Sequence, residues 1–99
     1  MPDKTFPFTA SLVAGAPEHA GVFLLWRDGD VIYIGHALGG AANIRSMLVR
    51  HLAGEIGPCT RRATHYSWQI SADPAALELE LLHEYHARNQ RLPDCNARR

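Results

Sequence analysis

The stretch Gly21-Val22-Phe23-Leu24-Leu25-Trp26-Arg27-Asp28-Gly29-Asp30-Val31-Ile32-Tyr33-Ile34-Gly35 decides the fold. Residues 22–26 are a run of strand formers, and residues 31–34 are a second. The Asp28-Gly29 pair between them favours a tight reversal, so the two runs read as a β-hairpin. Loop length then decides which side chains share a face. A two-residue turn pairs Leu24 with Tyr33 and sends Phe23 to the opposite face. A three-residue loop, with Gly29 in a left-handed bulge, pairs Leu25 with Tyr33 and puts Phe23 and Tyr33 together. The three-residue loop is the expectation.

Outward from the hairpin, Gly39-Gly40 breaks the chain and the period changes at Ala41. Ile44, Met47, Leu48, His51 and Leu52 recur at helical spacing, and Gly54, Gly57 and Pro58 end that helix. Residues 64–70 read as a third strand. Asp73 is an N-cap with Pro74 in the first turn, and the helix that follows carries Leu77, Leu81, Leu82 and Tyr85 on one side. Leu92-Pro93-Asp94-Cys95-Asn96 closes the domain as a turn. Residues 1–20 lack periodicity, and their apolar patch at 6–13 is expected to pack as an irregular arm. The fold class is therefore α/β in the α+β sense: a small three-stranded antiparallel sheet flanked by helices, in the order β-β-α-β-α. Residues 1–20 form the arm, 21–96 the domain and 97–99 a tail.

A chain of 99 residues fits one core and leaves no room for a separate recognition domain. The formal net charge of zero argues against strong non-specific binding to nucleic acid. Charge is nevertheless segregated: Arg45, Arg50, Arg61 and Arg62 face Glu55 alone, whereas Asp73, Glu78, Glu80 and Glu84 are uninterrupted by Lys or Arg. The pattern fits a basic surface around an acidic pocket, or plain solvated charge. Two cysteines, Cys59 and Cys95, make no disulfide framework. No signal peptide opens the chain and no apolar run reaches membrane-spanning length, so a reduced cytoplasmic setting is expected, with no membrane partner.

Four features share an order and spacing: Gly21-Val22-Phe23, then Tyr33-Ile34-Gly35, a helix with Asn43-Ile44-Arg45 ending near His51, and a late helix with Glu78, Leu81-Leu82 and Tyr85 before Pro93-Asp94-Cys95-Asn96. Together they resemble the GIY-YIG nuclease superfamily over about residues 18–96. The resemblance implies a divalent-metal-dependent endonuclease acting on DNA phosphodiesters. In such enzymes one Mg²⁺ or Mn²⁺ is held by a single glutamate, an arginine assists the phosphate, and tyrosine and histidine handle the proton.

Carried onto this sequence, the resemblance makes Glu78 the metal ligand, Tyr33 the proton-handling group and His51 a further site residue. Glu78 flanks the apolar stripe of its helix, whereas its rival Glu80 points about 160° away. Two positions depart from the pattern. Phe23 stands where a tyrosine is typical and lacks the hydroxyl, and Met47 stands where the arginine is expected. Arg50 lies within about 60° of Met47 and one turn on, and Arg45 about 160° away, so Arg50 or Arg45 is the substitute. Arg61 and Arg62 are further sources of the charge. These departures leave an alternative: a catalytically inactive module of the same fold that binds nucleic acid or a partner protein. A homodimer or a recruiting protein would compensate for the small size.

Other residues carry lesser expectations. His83 and His86 could join Cys59 or Cys95 in a zinc site, although the spacing is not that of structural zinc. Cys59 beside Arg61 and Arg62 could be a reactive thiol. Tyr66 and Trp68 read as core aromatics of the third strand.

Overall fold

The computed structural model describes residues 4–97 as an α+β fold. The elements in chain order are β1 (Phe6–Pro7), α1 (Ala10–Val13), β2 (Gly21–Arg27), β3 (Asp30–Ala37), α2 (Ile44–Leu52), α3 (Pro58–Arg61), β4 (His65–Ile70) and α4 (Pro74–Asn89). The sheet is antiparallel with strand order β1-β4-β2-β3, so β3 is an edge strand. The expected three strands are four among the described residues, and the arm expected to be irregular contributes β1 and α1. Phe6 pairs with Tyr66, and Phe8, Val13 and Ala16 are buried, which is why so short a strand holds. The helix α3 is also an addition, since Pro58 begins a turn of helix as well as following the end of α2.

The hairpin pairs Leu25 with Tyr33 and Phe23 with Gly35, as expected, but not through the expected loop. Arg27 pairs with Asp30 across a two-residue turn, with Asp28 at φ 51° and Gly29 at φ 86°, the backbone of a type I′ turn. Trp26 pairs with Val31, and Ile32 is then the extra residue of a β-bulge. The bulge, not a longer loop, supplies the one-residue slip that brings Phe23 and Tyr33 to one face. Ile32 and Tyr33 can both be buried because of it.

Both ends of the hairpin motif demand glycine. A Cβ on Gly21 would collide with the Gln69 carbonyl oxygen of β4 and lie 2.8 Å from Ile44 Cδ1 of α2. On Gly35 it would lie 2.6 Å from Phe23 Cζ and 2.7 Å from Tyr33 Cε2. The first glycine lets strand, strand and helix approach; the second lets two rings close over the sheet.

Helix α2 starts three residues later than Ala41. Asn43 caps it, its side chain accepting from Ser46 N at 2.9 Å and donating to Gly40 O at 2.9 Å. Ile44, Leu48 and His51 form its buried stripe against the Phe23, Leu25 and Tyr33 face of the sheet. Helix α4 covers the other face, capped by Asp73, which accepts from Ala76 N at 3.3 Å. Its Leu77, Leu81, Leu82 and Tyr85 are only half-buried. Tyr66 is buried, but Trp68 is 37% exposed and does not belong to the core as expected.

Cys59 and Cys95 are joined in a disulfide, which corrects the expectation of free cysteines. The turn after α4 folds back beside α3 because Cys95 N donates to Ile32 O at 2.7 Å. The Asn96 side chain brackets Ile34, accepting from its N at 2.9 Å and donating to its O at 3.0 Å. Asn96 thereby takes the place of a further strand on the open edge of β3.

Candidate functional site

Strand alternation puts Tyr33 and Gly35 on the α2 face and Ile34 and His36 on the α4 face. At the edge of β3 the two faces meet around one cavity of about 310 Å³. Its lining includes Phe23, Tyr33, His36, Met47 and Glu78. Tyr33 and Glu78 therefore converge although they come from the hairpin and the last helix. Phe23 and Met47, the two departures from the expected pattern, lie beside them.

Phe23 and Tyr33 line the cavity, and His51 packs behind both rings. Tyr33 and His51 centroids are 5.1 Å apart, Phe23 and His51 5.3 Å, and Phe23 and Tyr33 6.1 Å. His51 is 1% exposed, and its Nδ1 lies 2.9 Å from Thr60 Oγ1, itself buried. A ring so enclosed positions its neighbours and does not reach solvent. Thr60 had no sequence signal, because it sits in a helix of only four residues and its partner His51 lies across a glycine-rich turn, in α2.

The arginines sit elsewhere. Arg45 Nε donates to Ala16 O at 2.8 Å and its Nη1 lies 3.2 Å from Glu18, so it fastens the N-terminal arm. Arg50 is exposed and 3.7 Å from Glu55. Both line a separate depression that also involves Met47. Among the described residues, the arginine that shares a cavity with Tyr33 is Arg62, in a larger space of about 520 Å³ walled by Cys59 and Cys95. Its Nη2 donates to Asp94 Oδ2 at 2.8 Å and lies 3.3 Å from Cys59 Sγ.

Glu78 has a side chain only 12% exposed, whereas Glu80 is turned to solvent. Glu78 Oε1 lies 3.1 Å from His36 Nδ1. That nitrogen is buried and makes no hydrogen bond among the described residues, so the contact has ion-pair distance without hydrogen-bond alignment. His36 was missed in the sequence because its partner Glu78 comes 42 residues later, in a helix, and no local period registers that pairing.

A carboxylate shielded on one side and open to a cavity is suited to a hard divalent ion that keeps waters for a phosphate to displace. Among the described residues the one cluster of three ligating side chains is Cys59, Asp94 and Cys95, with ligand atoms within 4.8 Å of one another. Its sulfurs are bonded to each other, and so are not available as thiolate ligands. His83 and His86 are exposed and join no such cluster, and Cys59 is not a reactive thiol. No helix among the described residues is long and apolar enough to cross a membrane. No protein-family model, no curated protein and no solved structure matches this chain.

Proposed function

We propose that the chain is a GIY-YIG-type, divalent-metal-dependent endonuclease-like domain that hydrolyses DNA phosphodiesters weakly. One observation carries this: Tyr33 and Glu78 line the same cavity, with Phe23 and Met47 beside them. Glu78 would hold Mg²⁺ or Mn²⁺, which supplies charge neutralisation at the phosphate and at the leaving oxygen. Tyr33 would be the proton-handling group beside the attacking water. His51, packed on Tyr33 and tied to Thr60, sets the orientation of that ring. Phe23 contributes shape to the floor and no hydroxyl. Losing one positioned donor to the phosphate costs about 3 kcal/mol, a hundredfold or more in rate, which is why the activity is expected to be low.

A specific observation favours a second reading, a non-catalytic module that binds nucleic acid or a protein. Among the described residues, no arginine lines the cavity of Tyr33 and Glu78. A cytoplasmic setting belongs to either reading, and there the Cys59–Cys95 bond would be exposed to reduction.

Nicking of supercoiled plasmid tests the hydrolase. Wild type is expected to nick with Mg²⁺ or Mn²⁺, to stop with chelator, and to lose activity in Glu78→Ala. Activity that survives Glu78→Ala rejects the site. An inert wild type that gains activity as Phe23→Tyr/Met47→Arg identifies a degenerate nuclease; one that stays inert yet retards DNA supports the binding module.

A further inference from the structure

We propose that His36 is a second protein ligand of the cation held by Glu78, making the centre a mixed nitrogen–oxygen site for a first-row transition ion. The proposal rests on the reading of Glu78 as a metal ligand and extends it to a residue outside the motif that suggested it.

The geometry carries it in three steps. First, His36 Nδ1 is a buried ring nitrogen with no hydrogen bond among the described residues. Burying a polar atom in that state is unfavourable, so an absent partner of the right chemistry is indicated. Second, the atom facing it is Glu78 Oε1 at 3.1 Å. Two ligands in adjacent corners of an octahedron, each about 2.1 Å from the ion, are about 3 Å apart. The pair already stands at the separation of two cis ligands. Third, both side chains border the cavity that also holds Tyr33, so the remaining positions open to water or a phosphate oxygen. The pair is shielded unequally, with side-chain exposures of 32% for His36 and 12% for Glu78.

Ligand type sets the metal class. A lone carboxylate with waters suits Mg²⁺, whereas imidazole raises affinity along the series from Mn²⁺ towards Zn²⁺. The centre is therefore expected to prefer Mn²⁺ over Mg²⁺ even without nucleic acid.

The test uses the full chain without DNA. Mn²⁺ is titrated by its electron paramagnetic resonance signal and displaced with Mg²⁺, in wild type, His36→Ala, His36→Gln and Glu78→Gln. Broadening of the His36 ring protons by Mn²⁺ in nuclear magnetic resonance locates the ion, and excludes the exposed His83 and His86 as its seat. Wild type should bind Mn²⁺ at least tenfold tighter than Mg²⁺. Removing the imidazole should weaken Mn²⁺ binding about tenfold or more and change Mg²⁺ affinity less than twofold. Glu78→Gln should weaken both. Circular dichroism accompanies each variant, and His36→Gln keeps the side-chain bulk should His36→Ala fail to fold. Equal Mn²⁺ affinity in wild type and a folded His36 variant, no preference over Mg²⁺, or no broadening at His36 overturns the proposal. Plasmid nicking separates it from the functional reading: Mn²⁺ bound at His36 without nicking leaves the site standing and rejects the hydrolase. Nicking that is unchanged in His36→Ala, with unchanged metal preference, rejects only the second ligand.

Discussion

Substituting Gly35 by alanine places a methyl group 2.6 Å from Phe23 Cζ, 2.7 Å from Tyr33 Cε2 and 3.0 Å from Phe23 Cε2. Carbon atoms rest at about 3.5–4.0 Å, so both rings must retreat by about 1 Å. Neither has slack: Phe23 is 1% and Tyr33 6% exposed, and His51 lies against both. Overpacking of this kind costs about 1–3 kcal/mol. Removing glycine's freedom from the unfolded chain returns about 0.4–1 kcal/mol, because Gly35 does not need a left-handed backbone. A net loss of about 1–2 kcal/mol is expected, read as a shift of about 1 M in the urea midpoint at unchanged slope. Trp26, whose Nε1 donates to Ser67 Oγ at 2.9 Å, serves as the fluorescent reporter. Phe23→Leu removes the ring that the methyl meets first, so Gly35→Ala/Phe23→Leu should lose less than the sum of its parts by at least about 0.5 kcal/mol. A Gly35→Ala protein as stable as wild type, or strict additivity with Phe23→Leu, would refute the ring-gap account of this glycine.

Three further outcomes are expected. Asn96→Ala removes two hydrogen bonds to Ile34 and should cost about 2 kcal/mol, with hydrogen exchange at the Ile34 amide rising to the rate of an open edge; unchanged protection there would show that the bracket is not what closes β3. Reducing the Cys59–Cys95 bond, which spans a separation of 36 residues, should lower stability by about 3–4 kcal/mol on the chain-entropy account, and Cys59→Ser/Cys95→Ser should match the reduced wild type in urea. Equal stability with and without dithiothreitol would remove the bond from any structural role. Burial pushes the pKa of the Tyr66 hydroxyl, which donates to Leu12 O at 2.8 Å, above its ordinary value. Because the folded chain then keeps a proton that the unfolded chain loses, this contribution is complete below the ordinary tyrosine range near about 10 and declines as pH rises through and beyond it. Tyr66→Phe should cost about 1 kcal/mol at neutral pH and flatten that alkaline limb of the urea midpoint.

The sequence by itself determined the hairpin, the apolar stripe of α2, the Asp73 cap of α4 and the pairing of Leu25 with Tyr33. These rest on periods and turn chemistry within about ten residues, where local sterics and alternation decide. Even there the device was hidden: a two-residue turn and a bulge at Ile32 give the register expected of a three-residue loop. Only the tertiary structure decided the rest. The strand at Phe6–Pro7 exists because Tyr66 offers it a partner, and no two-residue segment announces that in its own composition. Cys59 and Cys95 meet because the last turn docks on the edge of β3, a contact that cysteine spacing does not encode. Arg50, favoured over Arg45 by helical angle, is 3.7 Å from Glu55, and Arg45 is turned to Glu18, so neighbours outside the helix decide where both guanidinium groups go. His36 acquires meaning only opposite Glu78, across the packing of a strand and a helix that no single period spans.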